Sequence, residues 1–82
     1  MIDFELAKKI AKEYYDERGM DKLTKVYESN DIWVVYATKD GKIRYGGHGI
    51  AINKETGEIS DFILPSKENF EILRNAKLTV LE

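Results

Sequence analysis

Ile32-Trp33-Val34-Val35-Tyr36-Ala37-Thr38, followed at once by Lys39-Asp40-Gly41-Lys42, is the most informative stretch of the chain. The first seven residues are β-branched, aromatic or small, and apolar side chains fall on both parities. A strand that is apolar on both faces is covered on both, so this one is predicted at the centre of a sheet. Trp33, Val35 and Ala37 would take one face, and Ile32, Val34 and Tyr36 the other. Asp40-Gly41 supplies the positive φ angles of a tight hairpin, so the next strand must return antiparallel.

Working outward, Leu23–Glu28 reads as the preceding strand, joined through the polar turn Ser29-Asn30-Asp31. Alternation sends Leu23, Lys25 and Tyr27 one way and Thr24, Val26 and Glu28 the other. On the far side, Ile43–Tyr45 and Ile50–Asn53 read as strand, interrupted by Gly46-Gly47-His48-Gly49, where three glycines in four residues mark a bulge, a bend or a close backbone approach. Lys54-Glu55-Thr56-Gly57 is a second hairpin turn, and Glu58–Leu64 alternates as a fourth strand. Before the sheet, Phe4–Arg18 is predicted as a helix capped by Asp3 and ended by Gly19. Leu6, Ile10 and Tyr14, with Ala7, Ala11 and Tyr15, form its apolar stripe. After Pro65, Ser66 can cap a short helix to Ala76, with Phe70, Leu73 and Ala76 on its stripe and Ile72 beside it. Residues 78–82 are expected either as a short extra strand or as a loose tail. The predicted order is α-β-β-β-β-α: one α+β domain over residues 1–82, with the N-terminal helix laid across a four-stranded antiparallel meander.

Composition narrows the function. The 82 residues carry 13 Lys+Arg against 15 Asp+Glu, a formal charge of −2 with both signs mixed along the chain. Nucleic-acid binders usually carry the basic excess that displaces phosphate counterions, so no nucleic-acid partner is expected. The longest strongly apolar run, Ile32–Ala37, is far too short to cross a bilayer, and Met1-Ile2-Asp3-Phe4-Glu5 has acids where a secretory signal needs bases. There is no cysteine, which fits a reducing compartment; the expected location is the cytoplasm, without membrane association.

Nothing in the sequence assembles a catalytic group. His48 is the single histidine and has no nucleophile or second ligand beside it, so it is read as a structural or surface residue in preference to a general base or metal ligand. The glycine run precedes a strand where a phosphate loop would open a helix. No catalytic residue, metal or cofactor is therefore expected. Two features suggest recognition. Glu55, Glu58 and Asp61 cluster about the second hairpin, either as a solvated turn or as a negative patch for a basic partner. Trp33, Tyr36 and Tyr45 supply aromatics, either as interface anchors or as ordinary cross-strand pairs. These six residues are the candidate partner-binding set.

Three segments resemble the immunity protein 35 family, small bacterial proteins predicted to neutralise toxins: the helix with Ala7 and Ala11, the Trp-centred Asp31–Tyr36, and Tyr45–Glu58 with its Lys54-Glu55-Thr56-Gly57-Glu58 turn. Members often carry a proline before the latter strand, where this chain has His48 or Gly49. The strand-turn-Gly-Glu portion is also similar to PepSY-type domains, which bind or inhibit peptidases. The first resemblance implies a non-enzymatic cytoplasmic protein that binds a cognate toxin, as a monomer or weak homodimer. The alternatives are a PepSY-like or cystatin-like ligand-binding or peptidase-binding module, or a self-associating chaperone-like protein.

Overall fold

The computed structural model describes residues 1–20, 22–38, 49–62 and 67–81. Its element order is α1 (Phe4–Asp16), β1 (Lys22–Glu28), β2 (Ile32–Thr38), β3 (Gly49–Asn53), β4 (Ile59–Phe62), α2 (Lys67–Asn75) and β5 (Lys77–Val80). The strands form one antiparallel sheet in the order β4-β3-β2-β1-β5, with β2 central as its two apolar faces require. The α+β class is as expected. The strand count is corrected from four to five among the described residues. Lys77–Val80 is not a tail: it pairs with β1, setting Val26 opposite Thr79 and Tyr27 opposite Leu78. The predicted strand at Ile43–Tyr45, the Asp40-Gly41 turn, Gly46–His48 and the Pro65-Ser66 helix start lie outside the described residues.

α1 begins where Asp3 caps it, its Oδ1 accepting from the Leu6 amide at 2.8 Å. It ends before Gly19, whose φ of 77° turns the chain out of the helix. Ala7, Ala11 and Tyr15 are the buried line of α1, seated over β1 and β2. Under it lie Val26, Trp33, Val35, Ala37, Ile50 and Ile52, the main core. Two small alanines let the helix backbone approach the sheet closely, and Tyr15, on the same line, reaches the central strand β2. Its hydroxyl donates to the Val35 carbonyl at 2.9 Å. Leu6, expected on the buried stripe, is 40% exposed, because the row one residue later faces the sheet.

The opposite face holds a second, smaller core of Val34, Ala51 and Phe62, packed against Ile72 and Leu73 of α2. A helix on each face departs from the expected two-layer arrangement. The second layer is thin: no residue of α2 is buried, and Phe70, predicted on its stripe, is 51% exposed. The alternation predicted for β1 also breaks. A register shift between Leu23 and Lys25 makes Thr24 an extra residue, so Leu23 joins Val26 on the α1 face while Lys25 and Tyr27 face the other way.

Burial, with the nearby Tyr14, Tyr36 and Asp61 adding to it, raises the pKa of the Tyr15 hydroxyl well above its ordinary value. Burial, then Tyr27, raises that of Tyr36. Above about pH 10 the unfolded chain releases these protons and the folded chain keeps them, so stability falls as pH rises, by up to about 1.4 kcal/mol per pH unit for each tyrosine. The larger contribution is that of the fully buried Tyr15; it is intact below pH 10 and is lost through the alkaline range, while solvent screening reduces that of the partly exposed Tyr36. Urea midpoints at pH 8 and about pH 11 should therefore diverge more for the parent than for Tyr15→Phe; equal divergence would refute the assignment to Tyr15.

Candidate partner-binding surface

The β3–β4 turn is fixed at nearly every backbone group. Asn53 Oδ1 accepts from the amides of Glu55 (2.8 Å) and Thr56 (3.1 Å), an arrangement typical of Asx turns. The Glu58 amide donates to Thr56 Oγ1 at 3.2 Å, and the Gly57 amide donates to the Asn53 carbonyl at 2.8 Å. Gly57 sits at φ 77°, which a side chain would strain, with Ile2 packed beneath it. From below, the Ile2 amide donates to the Lys54 carbonyl, and the Ile2 carbonyl in turn accepts from Trp33 Nε1 at 2.9 Å. The turn is thus anchored to the N-terminal segment and, through it, to the core.

Glu55 and Glu58 project from this anchored backbone and are exposed. Glu28 and Asp31 stand exposed at the same end of the sheet. The adjacent base, Lys54, is engaged: its Nζ lies 3.0 Å from Glu28 Oε2 and 4.9 Å from the centre of the Trp33 ring. What the tip offers a partner is therefore mainly carboxylate. Asp61 is not part of it. It lies further along β4 opposite Ile50, on the α1 face, and lines a hollow of about 300 Å³ with Tyr14, Tyr15, Arg18, Met20 and Gly49. There Arg18 stacks on the Tyr14 ring at 3.6 Å and donates to the Tyr14 carbonyl at 3.1 Å. The expected acidic trio is two carboxylates at the tip and one beside a hollow.

The aromatic set divides as well. Trp33 is 5% exposed and belongs to the core, where it tilts against Phe4 at 5.8 Å, so it offers a partner almost no surface. Tyr45 lies outside the described residues. Tyr36 is half-buried on the α2 side of the sheet. Its ring occupies the space above its cross-strand partner Gly49, where a Cβ would come within 2.8 Å of it. Tyr27 meets Tyr36 edge-on at 6.0 Å, and Lys25 Nζ lies over both rings. This half of the second face is continued by Leu78 (47% exposed) and Val80 (62% exposed). Sequence reasoning overlooked these two residues as contact candidates. The available signal was their period-two spacing, which places both on one face of any strand formed there.

Among the described residues no group of three or more His, Cys, Asp or Glu side chains could hold a metal ion, and no helix is long and apolar enough to cross a membrane. No family model, curated protein or solved structure matches the chain.

Proposed function

We propose that this domain is a non-catalytic binding protein that captures a protein partner with a basic surface, in the specific form of an immunity protein occupying a cognate bacterial toxin in the cytoplasm. The observation that carries this reading is the β3–β4 turn: Glu55 and Glu58 are held out on a backbone whose geometry is already fixed. Pre-set carboxylates speed capture of a cationic surface and lose little freedom on binding. The toxin is the form the family resemblance implies.

The test is the double variant Glu55→Lys/Glu58→Lys, assayed against a basic toxin candidate taken from the genes neighbouring this one. Both positions are exposed, so the fold should be unaffected. The association rate is expected to fall on the order of tenfold or more at low salt, with the gap narrowing as salt screens the charges. Unchanged association and unchanged protection of cells from the toxin would remove the reading. The hollow beside Asp61 favours a second reading, a cystatin-like or PepSY-like module that binds a ligand or peptidase between helix and sheet. In that case Asp61→Asn would alter binding while the Glu55/Glu58 reversal would not.

A further inference from the structure

We infer that β5 is a self-association edge, at which two copies of the chain join their sheets about a two-fold axis through Thr79. This does not depend on the function proposed above. Among the described residues β5 ends the sheet, with no strand beyond it. The Leu81 amide donates to the Thr24 carbonyl at 2.9 Å, so Leu81 turns its backbone toward β1. By alternation Thr79 and Lys77 do the same, and Leu78 and Val80 direct their N–H and C=O groups away from the sheet.

Those outward groups are self-complementary. Centred on Thr79, an antiparallel copy sets Leu78 opposite Val80 of the second chain and Val80 opposite its Leu78. Each such pair exchanges two hydrogen bonds, so every outward group of the two residues is satisfied. Centring the axis on Leu78 or on Val80 pairs that residue with its own copy and moves the other opposite residue 76 or 82, beyond the bounds of β5. The side chains agree with the same register. On the open face, exposed Leu78 and Val80 become cross-strand apolar neighbours, continuing the row that begins at Tyr27. On the α1 face, Thr79 meets Thr79. Lys77, the one charge on β5, falls opposite Leu81, and the two copies of Lys77 lie at opposite ends of the seam. No like charges are opposed. The two edges differ in where their charge sits: Asp61 lies exposed within β4, where it guards against edge pairing, whereas Lys77 is the first residue of β5 and stands at the end of the seam.

A seam of four residues is small, well under the ~1,200 Å² of a stable complex, so the dimer should be weak. Sedimentation equilibrium of the full chain, from about 10 μM to about 1 mM, should show the mass rising from 9.5 kDa toward twice that value. Val80→Lys sets a charge into the apolar row. Val80→Pro removes an outward N–H and leaves the β1 ladder intact. Both should stay monomeric across the range while keeping the parent's far-UV circular dichroism. Should either variant fold poorly, dilution of the parent followed by amide NMR decides: Leu78 and Val80 should shift with concentration while residues of β4 do not. A parent that stays monomeric at the highest concentration, a dimer that persists in both folded variants, or concentration-dependent shifts centred on another surface overturns the inference.

Discussion

Trp33→Ala is expected to remove about 3–5 kcal/mol of folding stability, the usual cost of emptying a large aromatic site. A domain of 82 residues holds only some 4–12 kcal/mol in total, so the variant should be partly unfolded or close to it at room temperature. Three losses coincide. The ring is buried between α1 and the sheet, where it tilts against Phe4. Its Nε1 satisfies the Ile2 carbonyl, and Lys54 rests over its face. Because the Ile2 amide in turn holds the Lys54 carbonyl, the damage should reach the β3–β4 turn. Trp33→Phe separates the parts: it keeps most of the apolar area and forfeits one hydrogen bond, so a cost nearer 1 kcal/mol is expected. Urea unfolding followed by far-UV circular dichroism measures both, since the substitution also removes the chain's one tryptophan. An Ala variant with the parent's midpoint would mean that Trp33 does not occupy the core.

The central strand was legible because its information is local. Ile32–Thr38 carries apolar residues on both parities, and only a middle position covers both. The helix α1 was legible for the same reason, except that periodicity cannot choose between adjacent rows. Leu6-Ile10-Tyr14 and Ala7-Ala11-Tyr15 are equally regular; contact with the sheet buries the second fully, while Ile10 and Tyr14 pack at its margin and Leu6 is left exposed. What was lost depends on partners distant in sequence. The alternation of β1 hides the extra residue at Thr24, whose side chain donates to the Tyr36 carbonyl instead of keeping the register. β5 is four residues long and gains its identity only by pairing with β1, some fifty residues earlier. Of the candidate surface, Glu55 and Glu58 were readable from turn chemistry. The division of Asp61 from them, the burial of Trp33 and the exposure of Leu78 and Val80 all follow from strand order, which no local pattern encodes.

The alanine row of α1 makes a demand of the opposite kind, for small volume. Ala7 and Ala11 have no exposed surface, and the sheet side chains of the main core pack directly against them. Ala11→Leu would add three carbons where interior packing leaves no room. Either α1 lifts or Val35 and its neighbours leave their preferred rotamers, at about 1–3 kcal/mol and occasionally more. Lifting should also lengthen the Tyr15–Val35 hydrogen bond, one turn further along the helix. Two controls isolate the mechanism. Lys12→Leu makes the same kind of helix residue on an exposed position and should shift stability by no more than about 0.5 kcal/mol. Ala11→Gly removes volume and costs about 1 kcal/mol through helix propensity. If overpacking is the cause, Ala11→Leu loses more than Ala11→Gly in urea unfolding and weakens the near-ultraviolet tyrosine signal, although leucine is itself a good helix former. An Ala11→Leu variant as stable as the parent would show that α1 is not seated on β1 and β2, and with it would go the burial that fixes Tyr15.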